Sequence, residues 1–328
     1  MNIIITGGAG FIGSALVKTC LSEGHSVLVI DKLTYAGSLK NLADAADNNQ
    51  FTFYKADICN QDEMDKIFNE FYPDAIMNLA AESHVDRSIA SPDSFIKSNI
   101  IGTYNLLNSS LKFLNSFNKK NFRFHQVSTD EVYGSLNINS FEKFTEMTPF
   151  DPRSPYSASK ASADHLVSAW NHTYKLPTVI TNCSNNYGPH QHNEKLIPVI
   201  VSNALKGNSI PIYGDGKNIR DWLFVNDHVD ALLKVLKMGK IGRTYNIGGN
   251  CELENLQVVK YICDYLDLVK PLENKTYHDL ITFVEDRPGH DRRYAIDQSL
   301  IEKELKWKPK TNFEEGIKTT VDWYLEKF

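Results

Sequence analysis

The chain has 328 residues, 42% of them hydrophobic, and a formal net charge of −5, which gives enough apolar material for one large or two modest folded units. The acidic balance excludes a general attraction to nucleic acid or anionic membrane, so basic residues that matter must act locally. Five cysteines, Cys20, Cys59, Cys183, Cys251 and Cys263, are odd in number, scattered and never in Cys-x-x-Cys spacing, which argues against a disulfide framework or a zinc site and points to the cytosol.

The opening, Met1-Asn-Ile-Ile-Ile-Thr6, lacks a basic n-region and runs straight into glycines, so it reads as a buried strand and not as a signal peptide. No apolar run approaches membrane-spanning length. Gly7-Gly8-Ala9-Gly10-Phe11-Ile12-Gly13 follows, then a helical stretch from Ser14 to Glu23. In that order Gly7, Gly10 and Gly13 let backbone N–H groups and a helix N-terminus approach a pyrophosphate, although a surface turn has the same composition. The next strand, Ser26 to Ile30, ends in Asp31, eighteen residues after Gly13. A carboxylate there can bind adenosine ribose hydroxyls and repels a 2′-phosphate, so NAD is expected rather than NADP.

Phe51 to Tyr54 predicts a third strand leading into Ala56-Asp57-Ile58. Asp57 there either contacts adenine or caps the helix expected over 62–72. A fourth strand, Asp74 to Leu79, runs into Ala80-Ala81-Glu82-Ser83-His84; the small residues leave room for a cofactor, and His84 is a candidate substrate contact or an exposed loop histidine. Residues 92 to 118 form a long helical pattern after Pro92. Phe122 to Ser128 alternates as a strand and stops at Thr129-Asp130-Glu131, which places two adjacent carboxylates at a strand end. Pro155-Tyr156-Ser-Ala-Ser-Lys160 opens a helix whose period puts Tyr156 and Lys160 on one face. A neighbouring ammonium favours the phenolate, so the pair suits proton transfer. An amphipathic helix with an exposed tyrosine and lysine has the same spacing, and only its position after a carboxylate pair and a nucleotide-binding start sets this one apart.

Thr178 to Cys183 completes six strands alternating with helices, the pattern of an α/β doubly wound parallel sheet of Rossmann type. Gly7 to Gly13, Asp31, Asp57, Ala80 and Thr129 to Glu131 all fall at strand carboxyl ends, where such sheets bind ligands. The texture then changes to longer loops rich in Gly, Pro, Asn and charge. The expected division is a cofactor domain over 1–183 and a smaller α/β substrate domain over 184–328, with a strand near 244–248 returning to the main sheet. Asp286-Arg-Pro-Gly-His-Asp-Arg-Arg293 carries three arginines and a histidine, suited to a diphosphate or equally to a solvated charged turn. His190-Gln-His192 lacks the spacing and third ligand of a metal site, and no metal is expected.

Thr6-Gly-Gly-Ala-Gly-Phe-Ile-Gly13, Asp31-Lys-Leu-Thr-Tyr35, Leu79-Ala-Ala-Glu-Ser-His-Val-Asp-Arg-Ser88, Ser128-Thr-Asp-Glu-Val-Tyr-Gly134, Tyr156-Ser-Ala-Ser-Lys160, Ser184-Asn-Asn-Tyr-Gly-Pro189 and Asp286-Arg-Pro-Gly-His290 together resemble, nearly end to end, the dTDP-glucose 4,6-dehydratase family of the extended short-chain dehydrogenase/reductases. Thr129-Asp130-Glu131 is the discriminating motif: related epimerases lack the acid pair, and related decarboxylases and GDP-mannose dehydratases usually carry Ser or Thr where Asp130 stands. The resemblance implies an NAD-dependent hydro-lyase of deoxysugar biosynthesis. In it Tyr156 is the base for oxidation at carbon 4, Lys160 lowers the tyrosine pKa and Thr129 bonds the same oxygen. Glu131 removes the carbon-5 proton, and a protonated Asp130 expels the carbon-6 hydroxyl.

Matched position by position, the resemblance implies NAD contacts at Phe11, Ile12, Asp31, Lys32, Leu33, Thr34, Asp57, Ile58, Leu79, Ala80, Ala81, Ser83, Ser98, Tyr156, Lys160 and Asn186. It implies sugar-nucleotide contacts at His84, Thr129, Asn185, Lys195, Leu196, Pro211, Tyr213, Arg220, Asn255, Arg287 and His290, with Arg220 and Arg287 on the diphosphate. It also implies a cytoplasmic homodimer built on the helices near 92–118 and 155–173. Thymidine versus uridine preference is left open, and a UDP-sugar dehydratase, epimerase or decarboxylase is the alternative.

Overall fold

The computed structural model describes residues 1–286 and 290–327. The first half runs β1 (Asn2–Thr6), α1 (Phe11–Ser22), β2 (Ser26–Ile30), β3 (Phe51–Tyr54), α2 (Gln61–Phe71), β4 (Ala75–Asn78), α3 (Val85–Ala90), the single turn α4 (Asp93–Phe95), α5 (Gly102–Phe117), β5 (Arg123–Thr129), α6 (Pro155–Tyr174) and β6 (Thr178–Cys183). The second half runs β7 (Asn185–Tyr187), α7 (Leu196–Leu205), β8 (Ile210–Tyr213), β9 (Ile219–Phe224), α8 (Val225–Met238), β10 (Thr244–Ile247), β11 (Glu252–Glu254), α9 (Asn255–Val269), β12 (Ile281–Val284), α10 (Ser299–Leu305) and α11 (Phe313–Leu325).

Seven strands form one sheet in the order β10-β6-β5-β4-β1-β2-β3, and every pairing in it is parallel. The apolar run of β1 explains its central place, because a strand covered on both faces needs no polar alternation. Ile3 and Ile5 pack with Leu16 and Val17 of α1 and Leu232 and Val235 of α8. Ile4 points to the other face, against Phe68 of α2, Leu106, Leu107 and Phe113 of α5, and Val167 of α6. The strand order reverses between β1 and β4, so their carboxyl ends open the crevice in which such sheets hold ligands.

Helix boundaries differ from expectation for local reasons. Gly10, in extended conformation, is the N-cap of α1, so the helix begins at Phe11 and not at Ser14. Asn60, not Asp57, caps α2, accepting from the Glu63 N–H; Asp57 instead accepts from the Cys59 N–H at 2.9 Å. The helical pattern over 92–118 is interrupted by a π-helical segment, Ile96–Ile101. Buried Asn99 sits in it, donating to the Glu82 carbonyl at 3.0 Å and to Ser159 Oγ at 2.8 Å, and accepting from the Glu82 N–H at 2.8 Å. The extra residue in the turn aims that amide at the loop after β4 and at α6, the positioning task for which π segments recur at functional sites. α6 opens on Pro155 behind a Ser154/Ser157 capping box, as its sequence dictates.

After β6 the chain builds a second layer. β9 pairs with β7 in parallel and with β11 antiparallel, and β8 pairs with β12. Their apolar faces share a core with α7, α9 and α11 around Ile200, Trp222, Ile262 and Ile317. Between these two stretches the chain returns through β10, whose Thr244 to Ile247 lie beside Ile180 to Cys183. No helix among the described residues is long and apolar enough to cross a membrane.

Candidate active site

A cleft runs along the carboxyl ends of β1, β2, β4, β5 and β6. At one end the backbone of Gly7, at φ +69°, packs so closely that an added Cβ would lie 2.8 Å from the Ala80 backbone, and one on Gly13 would lie 2.2 Å from the Gly7 carbonyl oxygen. Only hydrogen fits at either position. The N-terminus of α1, with no side-chain cap, therefore faces the cleft with its first N–H groups, as a pyrophosphate requires. Asp31 is held by the Ala9 N–H at 3.0 Å and the Leu33 N–H at 2.8 Å. Burial raises its carboxyl pKa, and those two donors pull it back. Lys32 donates to Ser98 Oγ at 2.9 Å and lies 3.6 Å from Asp57. These residues, with Phe11, Ile12, Thr34, Ile58, Leu79, Ala80, Ala81, Ser83 and Asn186, line the cleft. The glycine cradle and the anchored Asp31 fit NAD. Leu33 departs from expectation: it takes a positive φ of 57° and turns its side chain into the sheet core, leaving its N–H to Asp31.

At the other end β5 stops at Thr129, the N-cap of a 3₁₀ turn over Asp130–Tyr133. Thr129 Oγ1 accepts from the Glu131 N–H at 3.3 Å and lies 3.4 Å from Asp130 Oδ1. Asp130 is 2% exposed, and its Oδ2 has no hydrogen-bond partner among the described residues. Burial first, then the nearby Glu131 and Asp221 carboxylates, drive its pKa well above the usual range, which favours its protonated, uncharged form. From α6, Tyr156 and Lys160 reach the same place, 9% and 4% exposed. That burial rules out an ordinary solvent-facing tyrosine and lysine. The Thr129 side chain lies close enough to the Tyr156 phenol to favour its ionised form.

One electrostatic expectation changes sign. Burial first, then Glu131, push the Tyr156 phenol well above 10; Lys160 is not among the leading influences on it, and its ammonium donates to the Val127 carbonyl at 2.8 Å. Burial also lowers the Lys160 pKa, with the Asp164 carboxylate opposing that shift.

Of the expected sugar-nucleotide residues, Thr129, Asn185 and Lys195 line the cleft, and Lys195 donates to the Ser83 carbonyl at 3.0 Å. His84 caps α3 by accepting from the Arg87 N–H and sits 3.8 Å from Glu194. Leu196 opens α7 and packs against the second core. Pro211 and Tyr213 on β8, Asn255 at the start of α9, and His290 are not among the residues lining the cleft, whereas Arg220 on β9 stands near enough to Asp130 to lower its carboxyl pKa. Tyr213 and His290 meet edge to face at 6.4 Å, and the Asn255 N–H donates to the Asn218 carbonyl at 3.0 Å. The Arg220 guanidinium donates to the Ile219 and Asp291 carbonyls at 2.8 Å and covers the Tyr294 ring at 4.4 Å. In the cluster after Asp286, Arg292 pairs with Asp215 and Arg293 with Glu252, so these two arginines serve the fold. Arg287 lies outside the described residues.

The cleft also has walls that sequence reasoning missed: Cys183, Ser184, Gln191, His192 and Glu194. Cys183 ends β6, so the strand-end rule applied to Thr129 would have found it. The loop holding Gln191 to Glu194 carries no local signal; it reaches the cleft because Gln191 donates to the Asn186 carbonyl at 2.8 Å and Glu194 pairs with Arg87 at 3.3 Å.

A family model described as GDP-mannose 4,6 dehydratase matches residues 4–320. A dTDP-glucose 4,6-dehydratase of Shigella flexneri is 56% identical over 336 residues, covering 99% of this chain and 93% of that protein. Among solved structures, a dTDP-glucose 4,6-dehydratase from Bacillus anthracis in complex with NAD superposes with a TM-score of 0.87 at 44% identity, covering 99% of this chain and 97% of the other. One from Streptomyces venezuelae, with NAD and dTDP bound, superposes with a TM-score of 0.90 at 41% identity and the same coverage.

Proposed function

The chain belongs to the GDP-mannose 4,6 dehydratase family and within it to the dTDP-glucose 4,6-dehydratases, and from that premise we propose how its residues divide the work. The reaction turns dTDP-glucose into dTDP-4-keto-6-deoxyglucose and water, with NAD as cofactor. NAD, when bound, supplies the hydride acceptor and donor of the cycle.

Tyr156 takes the proton of the carbon-4 hydroxyl, and Thr129, whose side chain lies beside the phenol and favours its ionised form, bonds the same oxygen. The phenol stands above its ordinary pKa until a positive charge is brought against it, and Lys160 is the chain's own cation at that spot. Oxidation at carbon 4 acidifies the carbon-5 proton, which Glu131 removes. Asp130 gives its proton to the departing carbon-6 hydroxyl, releasing water, and Glu131 later returns the proton to carbon 5. The observation that carries this division is the contrast between two neighbours: Asp130 is buried, with its carboxyl pKa raised, whereas Glu131 is partly open to the cleft. That asymmetry gives one acid and one base.

On the same reading, residues 1–183 with the strand at 244–248 hold NAD, and 184–328 hold the nucleotide and its diphosphate through Arg220 and Arg287. Asn185 Oδ1 and Asn255 Oδ1, buried without a hydrogen-bond partner among the described residues, have acceptor capacity left for the sugar nucleotide. The protein works in the cytoplasm, as its five unpaired cysteines favour. It acts as a homodimer through α5 and α6, where Tyr104 and Tyr174 stand exposed beside Ile101 at the end of the π segment.

The test is turnover of dTDP-glucose and UDP-glucose by the purified protein, followed through the alkaline absorbance of the 4-keto product. Product from dTDP-glucose in preference to UDP-glucose is expected. A carbon-4 epimer without loss of water would defeat the assignment of the acid pair.

A further inference from the structure

Asp164 has no part in the chemistry above, yet it is a carboxylate only 2% exposed, one helical turn beyond Lys160 on α6. Buried charges are rarely left without an opposite charge, because desolvation is costly and a neutral hydrogen bond repays only part of it. Lys160 has the Val127 carbonyl as a hydrogen-bond partner, which supplies no charge. Positions i and i+4 share a helix face, and the Asp164 carboxylate is the leading influence that raises the Lys160 pKa against burial.

The same carboxylate is gripped from two strands. Ser128 Oγ, on β5, donates to Asp164 Oδ2 at 2.6 Å. Asn182 Nδ2, on β6, lies 3.3 Å from that oxygen and donates to the Thr129 carbonyl at 3.1 Å. One side chain thus touches the residue before Thr129, the amide that holds Thr129, and the environment of Lys160.

We propose that Asp164 is a positioning residue of this dehydratase: its carboxylate keeps Lys160 charged and ties the end of β5 to α6, so that Thr129 and Tyr156 meet. The inference rests on the roles given above to Tyr156 and Lys160. The other titratable groups facing this pair are few. Cys183 of β6 faces Lys160, and burial pushes its thiol up to about 12, so it is neutral across the working range. Tyr133, in the turn after β5, feels Asp164, and its phenol is raised by burial. The Asp164 carboxyl itself is raised by burial to about 6, with Lys160 and its hydrogen bonds moderating the rise.

The experiment is the pH profile of kcat and KM on NAD-loaded enzyme with dTDP-glucose, for wild type, Asp164→Asn, Ser128→Ala and Tyr156→Phe. For Asp164→Asn, kcat should fall about tenfold or more while KM changes little. Its alkaline limb, read in the carbon-4 oxidation step by the near-ultraviolet absorbance rise so that the Asp130 proton does not enter, should move about 1–3 pH units lower, because Lys160 loses its counter-charge and releases its proton earlier. An alkaline limb that overlays wild type would overturn the proposal.

If Asp164→Asn does not fold, Ser128→Ala decides. It keeps the charge but removes a donor to the carboxylate, so the acid limb should move to higher pH while the alkaline limb stays. An unmoved acid limb would overturn the proposal in that case. Tyr156→Phe separates the two levels of argument. Activity retained there would mean that the catalytic assignment had failed, whereas loss of activity there beside unmoved limbs in the Asp164→Asn or Ser128→Ala variant would mean that only the role of Asp164 had failed.

Discussion

Thr129 at the end of β5 and Tyr156 in the first turn of α6 lie 27 positions apart in the chain, yet the Thr129 side chain stands close enough to the Tyr156 phenol to favour its ionised form. On the proposed division of work, that proximity places the phenol where a hydroxyl must lose its proton. Tyr156→Phe is expected to lower kcat by about 10²–10⁴-fold. Thr129→Val, which keeps the shape and removes the hydroxyl, should cost less, because the phenol stays in place. Steady-state turnover of the two variants checks the order, and a larger loss for Thr129→Val would contradict it.

Asp130 and Glu131 should separate kinetically. Glu131→Gln and Asp130→Asn leave Tyr156 and Lys160 in place, so both should still show the near-ultraviolet absorbance rise that marks oxidation at carbon 4 while forming little product. The loss in elimination is expected at about 10²–10⁴-fold. The sign of the pH effect follows from the raised Asp130 pKa: the acid form is present below that pKa and is lost as pH rises through it. Elimination should therefore fail first on the alkaline side, and rapid-mixing measurements across pH would show whether it does.

Gly7→Ala should damage cofactor binding and folding together. The new methyl would need a positive φ and would press on the Ala80 backbone at 2.8 Å, strain of about 1 kcal/mol or more. Less NAD co-purifying with the variant, and a lower melting temperature, are the readouts. Full NAD occupancy would show that the turn tolerates a side chain.

Two buried histidines set an acid limit on stability. Burial lowers His125 to about 3, with His228 and Arg123 adding to it, and lowers His228 to about 3. A base with a depressed folded pKa contributes its full stability above the unfolded value of 6.5 and loses it as pH falls toward 3. At pH 5 the cost is roughly 2 kcal/mol for each histidine. Asp164 and Asp221, whose folded values are raised, act in the opposite sense, so a variant isolates the effect. His228→Gln should flatten the fall in denaturation midpoint between pH 7.5 and pH 5, and an unchanged slope would remove His228 from the account.

The main sheet was legible because burial on both faces leaves β1, β2 and β4 as unbroken apolar runs, and because Gly7 and Gly13 have no substitute. Thr129 to Glu131 was legible as an acid pair at a strand end. Less visible was what depends on distant partners. Nothing near Asn99 announces a π turn, since the turn exists to reach Glu82 and Ser159. Asp57 and Asn60 are both acceptable caps, and the register of α2 chose Asn60. Burial of Tyr156, which reverses the expected direction of its pKa, is a property of the assembled cleft and not of its own segment.

The outermost strand on one side of the main sheet, β10, is made only after β7, α7, β8, β9 and α8, and β6 pairs with it over four residues. A fragment cut at residue 183 would leave the edge of β6 bare, inviting association with other chains. During synthesis the first six strands must wait some sixty residues for their seventh, so a chaperone or the ribosome surface has a defined window in which to shield that edge.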